Sequence, residues 1–197
     1  MGFSLSWLAV KGKLPQAVLA ELGLSGTGKR EEVPESDLTG VELPSGCYLI
    51  VENHLSHDLL AESNLKGVSV GCEVVTCDVD EQVMASGASS WKDGQKLWAV
   101  SHDARRGRAD LKTEGILPPL FEVISTKLKS KQQQQAPDKD GHGVDYIFDI
   151  PVQLGETLTG FRHDRHIPEL DGNKFEILAD LAAARRKAPF WNKLLGK

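Results

Sequence analysis

The run Trp91-Lys-Asp-Gly-Gln-Lys-Leu-Trp98 constrains the fold more than any other stretch of the chain. Asp93 and Gly94 tolerate the positive φ angles that a two-residue hairpin turn demands. The returning run Lys96 to His102 alternates, with Leu97, Ala99 and Ser101 on one side and Trp98, Val100 and His102 on the other. Other runs have the same character. Phe3 to Val10 sets Leu5, Trp7 and Ala9 on one face of a half-buried strand, and Cys47 to Glu52 (CYLIVE) is a short apolar strand. Val68 to Asp78 reads as a strand that continues past a bend toward Ser86, and Val144 to Ile150 as one more. Sequential strands joined by short turns favour antiparallel pairing.

Helical signals punctuate these strands. Pro15 suits a first helical turn, and Gly23 ends that helix. His57 to Leu65 reads as a short helix capped by Ser56. Pro118-Pro119 precede LFEVISTKLKSK, whose Leu120, Val123, Ile124 and Leu128 form a stripe. Pro151 opens a helix through Leu158 that Gly160 terminates, and Phe175 to Lys187 predicts a terminal helix with Phe175, Leu178, Leu181 and Ala182 on one face. The tail that follows carries Phe190, Trp191, Leu194 and Leu195, which need a surface to dock on. Residues 25 to 46 read as loop, and 131 to 142, with four glutamines and APDKDGHG, as a flexible loop. The expected architecture is a single α+β domain over residues 1–197. It has a mainly antiparallel sheet of about five or six strands and helices packed on one face.

Composition narrows the function classes. A chain of 197 residues can bury a real core without staples. With 23 basic and 28 acidic residues the net charge is -5, which argues against wholesale nucleic-acid binding. No run approaches the roughly 20 apolar residues of a membrane span, and the start has no basic leader. The opening MGFSLS places Gly2 and Ser6 as a myristoylation signal would, but a first strand explains the same residues. Cys47, Cys72 and Cys77 are odd in number and form no CxxC pair, so reduced, buried thiols in a cytoplasmic setting are expected.

The chemical motifs are weak one by one. Gly23 to Lys29 has the spacing GxxxxGK, but Arg30 follows where a hydroxyl should hold magnesium, and a helix precedes it rather than a strand. Histidine precedes aspartate at His57-Asp58, His102-Asp103 and His163-Asp164, yet neighbours in a strand point to opposite faces. Phe161-Arg-His-Asp-Arg-His166 with Glu169 is the densest polar cluster, and His163 and His166 are close enough in sequence to share a metal. His54 and His57 have the same spacing. None of the three cysteines sits in a nucleophile signature. Arg105, Arg106 and Arg108 offer an anion-binding turn. No motif calls for a cofactor or assigns a metal ligand set.

Between Glu31 and Glu62 there are eight acidic residues and no basic one: Glu31, Glu32, Glu35, Asp37, Glu42, Glu52, Asp58 and Glu62. This is the strongest charge asymmetry in the chain. The expectation is a cytoplasmic protein-binding module that presents Glu31, Glu32, Glu35, Asp37 and Glu42 to a basic partner, in the manner of a neutralising or accessory protein. A metal-dependent hydrolase at His163 and His166 is the alternative.

Overall fold

A computed structural model of the chain describes residues 2–55, 58–135 and 143–181. These residues form nine strands in one antiparallel sheet and four α-helices. The elements run β1 (Ser4–Lys11), α1 (Pro15–Glu21), β2 (Leu24–Glu31), β3 (Leu38–Glu42), β4 (Cys47–Asn53), α2 (Glu62–Val68), β5 (Glu73–Asp80), β6 (Ala85–Lys92), β7 (Gln95–Asp103), β8 (Lys112–Gly115), α3 (Leu120–Gln134), α4 (Asp149–Thr159) and β9 (Phe175–Asp180). The strand order is β2-β9-β3-β4-β1-β5-β6-β7-β8.

The α+β class and the antiparallel sheet agree with the sequence. The count of five or six strands is too low, and the single helical face is wrong. β1 is central, paired with β4 and β5, and both of its faces are buried by the elements packed on them. On the first face Trp7 stands opposite Val51 and Cys77, and Leu5, Trp7 and Ala9 pack with Val152 of α4, Phe161 and Phe175. On the second face Leu8 and Val10 pack with Val18 of α1 and with Leu65 and Val68 of α2. Farther along the first face, Ala88, Trp98 and Val100 meet Phe121, Ile124 and Leu128 of α3 and Ile150 and Leu154 of α4. Side chains such as Trp7 and Leu8 are sealed from solvent, and each such burial stabilises by about 1.5–3 kcal/mol.

The hairpin forms as the sequence predicts. Asp93 (φ 50°) and Gly94 (φ 75°) make the turn, and Lys92 pairs with Gln95. A bulge between Ser90 and Trp91 separates the two tryptophans. Trp91 faces α2 and Trp98 faces α3 and α4, so they do not stack across the strands.

Other segments differ from their local signals. β2 and β3 occupy the stretch read as loop, because pairing with β9 and β4 compensates for their glycines. The β5 strand starts at Glu73, since Val68 belongs to α2. Val144 to Ile150 is not a strand; residues 146–148 turn and α4 begins at Asp149. The stripe of α3 is rotated toward Phe121, Ile124, Ser125 and Leu128, with Leu120 and Val123 exposed. That helix runs through Gln134, so only 136–142 of the expected flexible loop lie outside the described residues. Phe175 to Asp180 is strand rather than helix. Phe175 faces the first side of the sheet and Leu178 the second, an alternation no helix would give. Ala182 and the Trp191 tail lie outside the described residues, as do Ser56 and His57.

Candidate binding cleft

Near the start of β1 and the end of β4, no α-helix among the described residues packs on the first face of the sheet. The segment 161–171 covers it instead. The local chemistry explains this path. Gly160 takes the left-handed conformation (φ 84°) that ends α4, and the amide of Phe161 donates to Thr159 Oγ1. Phe161 then packs edge-on against Trp7, with ring centres 5.7 Å apart. Two arginines tie the segment back to α4. Arg162 donates to Asp149 at 3.0 Å and to Asp164 at 2.6 Å, and Arg165 donates to Glu156 at 2.6 Å.

The β2–β3 loop closes the opposite side, and its own carboxylate and amide groups fix its shape. Glu31 Oε1 accepts from the amides of Glu35 and Ser36, and Glu31 Oε2 from the Ser36 hydroxyl. Asn53 Nδ2 donates to the carbonyls of Pro34 (2.7 Å) and Ser36 (2.9 Å), and the Asn53 amide to Asp37. The loop is therefore pinned to the end of β4.

Between the loop and the segment lies a cavity of about 460 Å³, a size typical of ligand pockets. Leu5, Val51, Phe161, Leu170 and Phe175 form an apolar floor shared with the core. Phe3 (45% exposed) and Val33 (51% exposed) stand at the rim beside Ile167. The ionisable lining is Glu32, Glu35, His163, Asp164, Arg165, His166 and Asp171.

Most of these charges are engaged. Asp164 is held by Arg162 and Arg165 by Glu156, while His166 Nε2 lies 3.3 Å from Asp171. Burial opposes ionisation of Asp164, but the hydrogen bonds and charge of Arg162 outweigh it and hold the carboxyl below its usual range. Among the described residues, the exposed carboxylates of Glu32 and Glu35 have no hydrogen-bond or ion-pair partner.

His163 is the unusual group. Its side chain is 2% exposed, its ring meets Phe3 edge-on at 4.9 Å, and neither ring nitrogen has a hydrogen-bond partner. Glu81 stands 3.7 Å from Nε2 and accepts from the Phe3 amide with its other oxygen. Burial pushes the imidazole below its ordinary range, against the opposing charge of Asp164.

Two groups of residues singled out separately thus line one cavity: Glu32 and Glu35 with His163 and His166. Glu31 lies behind the loop as its organiser, and Asp37 is exposed just beyond it. Glu42 is elsewhere, in a second cavity of about 580 Å³ that also holds Arg30, Lys174 and Glu176. There Tyr48 is pushed up to about 12 by burial, then by Glu176 and Glu42. Glu52 is buried and accepts from Ser6, and Glu62 pairs with Lys66 on α2. The acidic stretch is therefore divided among several places.

The remaining candidates also have definite settings. Arg105 binds Asp103 through two nitrogens, and Arg106 lies 3.6 Å from the same carboxylate. Arg108 donates to the carbonyls of Gly143 and Val144. Residues Gly23 to Lys29 enter β2, an edge strand, so they form no strand-loop-helix nest. All three cysteines are unpaired and buried, and burial raises the thiols of Cys72 and Cys77, which lowers their thiolate fraction. Among the described residues, no three His, Cys, Asp or Glu side chains are placed to hold a metal. Among the same residues, no helix is long and apolar enough to cross a membrane.

Sequence reasoning missed Phe3, Asn53 and Glu81, whose roles depend on distant pairing. It also missed Asp145, the buried partner of His102. The alternation of β7 did set His102 on one face with Trp98 and Val100, and that face is the buried one. The chain matches no family model, no curated protein and no solved structure.

Proposed function

We propose that this protein binds a basic protein partner through the cleft between the β2–β3 loop and the 161–171 segment, rather than catalysing a reaction. One observation carries the reading: Glu32 and Glu35 stand exposed and unpaired among the described residues, on a pinned loop at the mouth of an apolar-floored cavity. A rigid loop loses little entropy when a partner arrives, and two free carboxylates favour cations and disfavour anions. The net charge of -5 acts in the same direction at long range. A cytoplasmic, neutralising or accessory role is the biological form of this reading, supported by three buried, unpaired thiols.

The test is native mass spectrometry of protein drawn gently from its own host, as wild type and as E32K/E35K. The expected result is a bound basic protein of defined mass on the wild type, lost from the charge-reversed form. Interactions that survive charge reversal unchanged would overturn the reading.

A further inference from the structure

We infer that the cleft receives one large apolar side chain of the partner, aromatic or branched aliphatic, borne on an extended segment with lysine or arginine beside it. This deepens the binding reading and rests on it. The floor made by Leu5, Val51, Phe161, Leu170 and Phe175 is continuous with the main core and offers an incoming group only carbon. A purely ionic partner would leave the apolar rim at Phe3 and Val33 in water, which costs hydrophobic free energy. A group that fills it loses its own apolar surface to the cavity, as interface anchors do.

Charge fixes what flanks the anchor. Asp164 and Arg165 are matched by Arg162 and Glu156, and Asp171 lies 3.3 Å from His166, whereas among the described residues Glu32 and Glu35 have no such neighbour. Their carboxylates sit on the same loop as exposed Val33, so an anchor at Val33 and Phe3 brings its sequence neighbours to them. The cavity volume of about 460 Å³ lies in the range of pockets that enclose whole small ligands, which leaves room for backbone as well as a ring.

The experiment is a heteronuclear NMR titration of the full chain with three capped tripeptides: Lys-Trp-Lys, Lys-Ala-Lys and Glu-Trp-Glu. Lys-Trp-Lys is expected to shift the amides of Phe3, Val33 and Ile167, and each control to bind at least about tenfold more weakly. E32Q/E35Q is expected to weaken Lys-Trp-Lys toward Glu-Trp-Glu. Ile167→Trp, which adds bulk to the cavity lining and leaves the charge of both carboxylates in place, is expected to remove the advantage of Trp over Ala; urea unfolding of each variant checks that it is folded. Equal binding of Lys-Trp-Lys and Lys-Ala-Lys, or shifts confined to another surface, or no shifts, would overturn the inference. If E32K/E35K still releases the native partner while the two lysine peptides bind equally, the anchor falls and the acidic surface stands. If the tripeptides discriminate but the partner ignores charge reversal, the reading of the native interface falls instead.

Discussion

His102 and Asp145 meet across 43 positions of sequence, Nε2 to Oδ2 at 3.1 Å, with both side chains closed off from solvent. Their other atoms are also engaged. His102 Nδ1 lies 2.6 Å from the carbonyl of Asp110, which can only accept, so Nδ1 carries a proton. Asp145 Oδ1 accepts from the amides of Ile147 and Phe148. One proton therefore fills the Nε2–Oδ2 contact, and every site of the pair is satisfied. The clasp joins β7 to the turn that launches α4, the helix on which Arg162 and Arg165 anchor the cleft segment.

Breaking this clasp is expected to be costly. His102→Ala or Asp145→Ala strands its buried partner, and losses of about 3 kcal/mol are typical of such truncations. Asp145→Asn should be milder by at least about 1 kcal/mol. Its oxygen still accepts from both amides, and its amide nitrogen donates to the neutral ring. Urea unfolding of the three variants decides the matter. If Asn is as damaging as Ala, the negative charge, not the hydrogen-bond set, holds the clasp.

The pinning of the β2–β3 loop yields a second expectation. Asn53→Ala removes both side-chain bonds to the Pro34 and Ser36 carbonyls, at a cost of about 1–2 kcal/mol. Asn53→Asp should cost more, because a carboxylate then faces two carbonyl oxygens. In both variants the amides of Glu35 and Ser36, now bonded to Glu31, should exchange faster with deuterated solvent. In Asn53→Ala, partner affinity should fall with no change in the charge of the cleft. Unchanged exchange at those amides would mean that Glu31 alone shapes the loop.

How far the sequence revealed this arrangement depended on the range of the interactions involved. The Asp93-Gly94 turn is a local matter of φ, and it formed as read. α1 and the end of α4 at Gly160 are local too. β9 is not: Leu178 and Ala179 are good helix residues, and only pairing with β2 and β3 makes their segment a strand. The cleft has the same origin. Glu32, Glu35, His163 and His166 are all visible as charged or ionisable clusters, but they share a cavity only because β9 is inserted between β2 and β3, which draws the segment before it against the β2–β3 loop. No period or spacing encodes that insertion.

Packing beneath the cleft supplies a third expectation. A Cβ added at Gly155 of α4 would lie 3.0 and 3.1 Å from two atoms of the Trp7 ring. Alanine would favour the helix by up to about 1 kcal/mol. Trp7, however, is buried and held edge-on by Phe161, so it has no room to yield, and overpacking of this kind costs about 1–3 kcal/mol. Gly155→Ala is expected to be net destabilising in urea, with chemical-shift changes that reach Phe161. A stabilised variant would show that the Trp7 ring can move.

The last expectation concerns pH. Burial lowers the pKa of His163 in the folded chain, despite the opposing charge of Asp164. In the unfolded chain the same imidazole titrates near its ordinary value of about 6.5. As pH falls through that value, the unfolded state takes up a proton that the folded state refuses. Stability is thus fully present above about pH 6.5 and declines on the acid side, until the folded-state pKa is passed. His163→Phe keeps a ring against Phe3 but removes the proton site and two unpaired buried nitrogens. At about pH 7.5 the variant should match or exceed the wild type, and its advantage should grow toward about pH 5. Denaturant unfolding of both proteins at the two pH values measures the difference directly. An advantage independent of pH would mean that the folded chain protonates His163 as readily as water does, most simply through an ion pair with Glu81.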